Sequence, residues 1–174
     1  MPERKPNHNS SAASMFGSLG TSNHKKERKM IQLSKEQIKE ISERLECGEK
    51  CFVQIHTQEL VFYMDPLKNL DLDEEYYGEE MQKVEENRQD YLEIEGMDSR
   101  EGFQLMEEFA QQVNSKRLQE RLYRALNQRK PFQHFKHEID NSGAYREAWF
   151  AFKNQKMQDW VEAKVVELNR ELEQ

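Results

Sequence analysis

No run of eighteen or more apolar residues, the length a membrane-crossing helix needs, occurs in these 174 residues, and the first thirty lack the apolar stretch of a secretory signal. A cytoplasmic protein is the expectation. Glycine is scarce at seven, and none of the seven builds a Gly-rich phosphate loop or a Gly-x-Ser-x-Gly elbow, so two common catalytic signatures are missing. Only two cysteines are present, Cys47 and Cys51. Their spacing of four is wrong for a Cys-x-x-Cys redox motif, and they read as reduced thiols packed beside a helix end. Apolar residues are few as well, 36% of the chain with a mean hydropathy of −1.07, so any core must be compact.

Charge fills the space, at 34% of residues. Acidic residues number 33 against 26 basic, and the net of −7 argues against a nucleic-acid surface covering the whole domain while leaving room for a local basic patch. The distribution is uneven. Residues 1–30 are rich in Ser, Asn, Lys and Gly and carry six basic side chains against Glu3 and Glu27, a net of +4. They read as a disordered basic tail, either a solvated linker with Met30 as an alternative start to Met1, or an arm for an acidic partner or nucleic acid. From Asp71 to Glu95 eleven carboxylates face only Lys83 and Arg88, a net of −9. Such a run is usually a solvated face. Its functional reading is an acidic docking surface, with Asp73, Glu74, Glu75, Glu79, Glu80, Glu85 and Glu86 presented to a basic protein partner.

Residues 31–172 carry the periodic patterns of one α+β, mostly helical domain: one small β-hairpin and a short extra strand packed with about five helices. Ser34 and Gln37 form a capping box, Leu33 can staple to Ile38, and Ile38, Ile41 and Leu45 line one face before Gly48 stops the helix. Cys51–His56 and Leu60–Met64 are β-prone and read as the hairpin. A helix over about 77–89 and a strand Tyr91–Glu95 follow. Asp98 or Ser99 with Glu101 makes a second capping box, opening a helix with Phe103, Met106, Ala110 and Val113 on one face. Leu118, Leu122, Ala125 and Leu126 mark the next helix. Pro131 suits a first turn, with Phe132, Phe135 and Ile139 at i, i+3, i+7. After Asn141-Ser142-Gly143 a long helix from about Ala144 to Leu172 lays Tyr145, Trp149, Phe152 and Trp160 along one side, then Val161, Val165 and Leu168, with a fraying end.

Chemistry-bearing clusters are sparse. His134, His137 and Glu138 are the one local set that could hold zinc or move a proton. They lack the His-Glu-x-x-His order, and Phe135 and Ile139 claim the buried face, so surface or capping histidines are the plainer reading. Lys130, Lys136, Arg146 and Lys153 alternate with rings, as a single-strand stacking surface would, although the helical spacing of those rings fits a core. No cofactor is expected.

The segments 98–109, 122–136 and 145–152, with Asp98-Ser99-Arg100-Glu101, Lys130-Pro131-Phe132-Gln133-His134-Phe135 and Trp149-Phe150-Ala151-Phe152, resemble a family of small bacterial proteins known as an uncharacterised protein family. The likeness is best from Tyr91 to Lys164 and extends to most of the chain from about Met30. It implies the same order of helix, hairpin, acidic stretch and helical part, and a bacterial origin. It brings no activity and no catalytic residues. Three functional classes follow from the sequence: a non-catalytic acidic interaction module, which leads; a nucleic-acid-associated protein using the basic tail and the Lys130 to Lys153 surface; and an enzyme of unrecognised class centred on His134, His137 and Glu138.

Overall fold

The structure is a computed structural model and describes residues 30–65 and 78–174. The expected basic tail before Met30, and Asp73, Glu74 and Glu75 of the acidic run, lie outside the described residues.

Both capping boxes form as their spacing predicts. Ser34 Oγ accepts the Gln37 N–H at 3.2 Å and Gln37 Oε1 accepts the Ser34 N–H at 2.9 Å, opening α1 (Lys35–Glu46). Ile38 and Ile41 of α1 are buried, and Gly48 at φ +86° turns the chain back. Three antiparallel strands follow in sequence: β1 (Glu49–Gln54), β2 (Leu60–Met64) and, after α2 (Gly78–Glu86) and a 3-10 turn at Arg88–Asp90, β3 (Tyr91–Ile94). Their spatial order is β2-β1-β3. Cys51 pairs with Phe62 on one side and Ile94 on the other, and Phe52 with Val61 and Glu93.

β1 starts two residues earlier than expected and β3 ends one residue earlier, and two further boundaries differ for a local reason. β1 ends at Gln54 rather than His56 because Gln54 Oε1 accepts the N–H groups of both His56 and Thr57 at 2.6 Å, which folds the chain into the turn, with Gln58 at φ +63°. α2 stops at Glu86 because Asn87 Nδ2 donates back to the Lys83 carbonyl at 3.2 Å.

The sheet is covered on both faces, so Cys51, Phe52 and Val53 are all buried in succession. On one face Cys51, Val53 and Ile94 pack with Ile38 and Ile41 of α1. On the other, Phe52 stacks on Tyr63 at 5.2 Å between centroids, with Val84 of α2 and Tyr91 beside them.

The helical half consists of α3 (Ser99–Gln112), α4 (Lys116–Leu126) and α5 (Pro131–Asp140). Asp98 caps α3, accepting the Arg100 and Glu101 N–H groups at 2.8 Å while Glu101 reaches back to the Asp98 N–H. Met106, Phe109, Leu118, Leu122, Phe135 and Ile139 form one buried cluster. α6 (Ala144–Leu172), 29 residues and roughly 43 Å long at 1.5 Å per residue, is the spine joining the two halves. Its first turns set Tyr145, Trp149 and Phe152 against the helical cluster, and its later turns set Val161 and Val165 against the sheet cluster.

Three side chains depart from the sequence reading. Phe132 is 45% exposed although Phe135 and Ile139 are buried. The angle is not the cause, since Phe132 lies within about 20° of buried Ile139 around the helix; it sits in the first turn of α5, where its ring lies across Gly102 and lines a cleft. Trp160 leaves the ring stripe: its Nε1–H donates to the Glu95 carbonyl at 3.0 Å, tying α6 to the end of β3. The end of α6 is held rather than frayed. Asn169 Oδ1 accepts the Ile31 N–H at 2.6 Å and its Nδ2 donates to the Ile31 carbonyl at 2.9 Å, both in a buried setting.

Candidate functional site

α2 is fixed by Val84, which is 1% exposed, and by Met81 packed against the sheet cluster. That seating turns Glu79, Glu80, Glu85 and Glu86 outward, and all four are exposed. A cleft of about 560 Å³ opens between α2 and β2, lined by Glu59, Glu79, Glu80, Phe62, Arg44 and Lys83. Both cations there are already engaged. Lys83 Nζ donates to Glu59 at 2.8 Å, a hydrogen bond that raises its pKa, and Arg44 donates to Glu49 at 3.0 Å with Glu40 at 3.5 Å and its guanidinium 4.6 Å over the Phe62 ring. Among the described residues neither Glu79 nor Glu80 forms an ion pair, although Lys83 feels the charge of Glu80. Arg44 and Glu59 were not singled out by sequence reasoning, because nothing local to either residue shows that the hairpin and α1 deliver them to the same cleft.

The second concave feature is an aromatic cleft of about 590 Å³ between α3, α5 and α6, lined by Phe132, Trp149, Phe150, Leu45 and Met157 among others. Phe132 lies across Gly102 of α3, where an added Cβ would come within 3.3 Å of its ring. The two aromatic sequence elements, Pro-Phe-x-x-Phe and Trp-Phe-x-Phe, therefore both line one cleft. Phe135 and Phe109 both meet the Trp149 ring edge-on, at 4.9 and 5.1 Å, and of these two Phe135 lines the cleft. The rim carboxylates are committed: Glu46 accepts from Lys153 at 2.7 Å, Asp140 pairs with Arg146 at 3.4 Å, and Asp98 caps α3. Lys136 is the one rim cation without an ion pair among the described residues.

The remaining sequence candidates separate. Glu138 is drawn to α4, where its carboxylate pairs with Arg121, while His134 and His137 stand exposed on α5. Among the described residues, no group of three or more His, Cys, Asp or Glu side chains is gathered where it could hold a metal ion. Of the expected basic surface, Lys130 and Lys136 are exposed, whereas Lys153 and Arg146 are paired with acids and Arg146 also covers Phe150 at 4.8 Å. Cys47 is exposed and Cys51 buried, and burial pushes the Cys51 thiol up to about 12, far from a reactive thiolate. No helix among the described residues is long and apolar enough to cross a membrane.

The sequence model of the Uncharacterised protein family (UPF0158) matches residues 37–170, from the first turn of α1 to the last turns of α6, and the chain belongs to that family. No curated protein and no solved structure matches it.

Proposed function

We propose that this chain is a non-catalytic interaction module that docks a basic protein partner on the acidic side of the α2–β2 cleft. One observation carries the reading: the cleft's two cations, Arg44 and Lys83, are ion-paired to Glu49, Glu40 and Glu59, while Glu79 and Glu80 stand exposed on a helix seated by Val84 without an ion pair among the described residues, Glu80 feeling only the longer-range field of Lys83. A lysine or arginine entering there meets carboxylates that need no rearrangement to receive it, in a concavity that screens less than an open surface does. Glu85 and Glu86 extend the field along the same helix.

The test is affinity capture from a bacterial lysate at low salt, run side by side with Glu79→Gln/Glu80→Gln. The expected result is a set of basic proteins that elute as salt rises and are missing from the variant's eluate. Identical eluates from wild type and variant would overturn the reading, as would captured proteins that ignore salt. Lys83→Ala serves as the opposite-sign control: by removing a cation it should strengthen capture.

A further inference from the structure

The chain totals −7, yet residues 116–136 hold seven cations, Lys116, Arg117, Arg121, Arg124, Arg129, Lys130 and Lys136, against Glu120 alone, a local net of +6. The structure shows what that concentration is not for. Among the described residues only Arg121 of these has an ion-pair partner, Glu138. The other six are exposed, and none makes an ion pair or side-chain hydrogen bond among the described residues. Like charges gathered on α4 and the turn after it repel one another, and fold stability gains nothing from them.

Exposed rings accompany these cations. Tyr123 of α4 is 36% exposed and Phe132, two residues after Lys130, is 45% exposed and lines the aromatic cleft that Lys136 also lines. We propose that the cationic face of α4, the α4–α5 turn and the Phe132 side of the cleft form a binding surface for single-stranded nucleic acid, the cations tracking phosphates and Phe132 stacking a base. The chemistry selects this polyanion over two others. A duplex hides the faces of its bases, so it would leave the exposed rings without a role. An anionic bilayer would want an apolar face to insert, and the apolar side chains of α4, Leu118, Leu122, Ala125 and Leu126, are all buried in the core. The surface belongs to the helical cluster, whereas the acidic ridge is seated on the sheet cluster, so this inference stands apart from the docking of a basic partner.

The backbone supplies a clean probe. Lys130 sits at φ +58°, ψ +55°, the left-handed region that disfavours a side chain, so Lys130→Gly removes a cation while relieving strain and cannot be dismissed as damage to the fold. The experiment is fluorescence anisotropy of the full chain with a labelled, U-rich single-stranded RNA of about twenty nucleotides, the matching duplex, and phosphatidylserine vesicles. With four to six phosphate contacts, raising salt from about 50 to 200 mM should weaken single-strand binding on the order of 100-fold. Lys130→Gly/Lys136→Gln should shrink that salt-dependent loss about sevenfold by removing two contacts. Phe132→Ala should weaken binding about 5- to 150-fold with the salt slope unchanged, the signature of a lost stack rather than a lost charge. The proposal falls if single strands fail to bind at low salt, if the duplex or the vesicles bind more tightly, or if both variants bind as the wild type does.

Discussion

Asn169→Ala is the most informative change to the fold, because it cuts a clasp between positions 138 residues apart in sequence. Asn169 holds both backbone groups of Ile31, and Ile31 is 2% exposed. Keeping the segment in place without the amide would leave a buried N–H and a buried carbonyl unpaired, at about 1–3 kcal/mol each. Releasing the segment instead gives up burial of Ile31, about 1.5–3 kcal/mol. It also gives up two hydrogen bonds to Gln58, one from the Gln32 N–H at 2.9 Å and one to the Met30 carbonyl at 2.8 Å. Against those losses, freeing three residues returns about 1–2 kcal/mol of backbone entropy each. The terms of release nearly cancel, so release is the cheaper route, and the net cost should be close to that of the two lost bonds, about 1–3 kcal/mol. Asn169→Asp keeps the acceptor but turns a second oxygen on the Ile31 carbonyl, and should cost at least as much. Urea unfolding followed by circular dichroism measures the loss, and hydrogen exchange at the Ile31 amide locates it. If Asn169→Ala stayed within about 0.5 kcal/mol of wild type with the Ile31 amide still protected, the clasp would be ornamental and the reasoning wrong.

Phe135→Ala should cost about 3–5 kcal/mol, since Phe135 is 1% exposed and underlies Trp149; the denaturation midpoint should fall with the slope unchanged, and tryptophan fluorescence should shift. Asp98→Ala should cost about 1 kcal/mol by leaving two N–H groups at the start of α3 without their acceptor, whereas Asp98→Asn should restore most of it; thermal melts of the pair decide. Burial raises the Cys51 thiol from 9.0 to about 12, so the folded state keeps a proton that the unfolded chain releases. Stability present below the unfolded value is therefore lost as pH climbs towards the folded one, by up to about 4 kcal/mol for this thiol, and Cys51→Val should flatten that part of the alkaline profile. A thiol reagent at neutral pH should label Cys47 in the native protein and Cys51 only after unfolding.

What the sequence made legible was local. Ser34 with Gln37 and Asp98 with Glu101 announce their helices because the partners are three residues apart and the capping geometry depends on nothing else. The β-prone runs of the hairpin and the three- and four-residue steps at the start of α6 read for the same reason. Illegible were the features made by distant chain segments meeting. That β3 takes the free edge of β1 opposite β2 is decided by burial on both faces of the sheet, and the pattern of one strand cannot report it. The end of α6 read as fraying because the partner of Asn169 is the backbone of Ile31, which carries no side-chain signal. Phe132 looked like core because its spacing does put it on the buried face, within about 20° of Ile139, and the pattern cannot report that the first turn of α5 lines a cleft. The cations of α4 were countable in the sequence, but a count does not separate paired charges from free ones, and Arg121 beside Glu138 differs from Arg124 only in three dimensions.

The same separation of charge gives a way to tell the two proposed surfaces apart within one molecule. Salt alone cannot do so, because screening weakens an acidic ridge on a basic protein and a basic face on RNA alike. Neutralising substitutions have opposite consequences. Glu79→Gln/Glu80→Gln removes attraction for a basic partner and, if it acts on RNA at all, removes repulsion, so RNA affinity should hold or rise slightly at low salt while capture of basic proteins is lost. Lys130→Gly/Lys136→Gln should do the reverse. At physiological salt the Debye length is about 8 Å, so two surfaces resting on separate core clusters should titrate independently. RNA binding that falls together with protein capture in the glutamate variant would mean that the RNA arrives bound to the partner, and the cationic face of α4 would then have to be read as solvated surface.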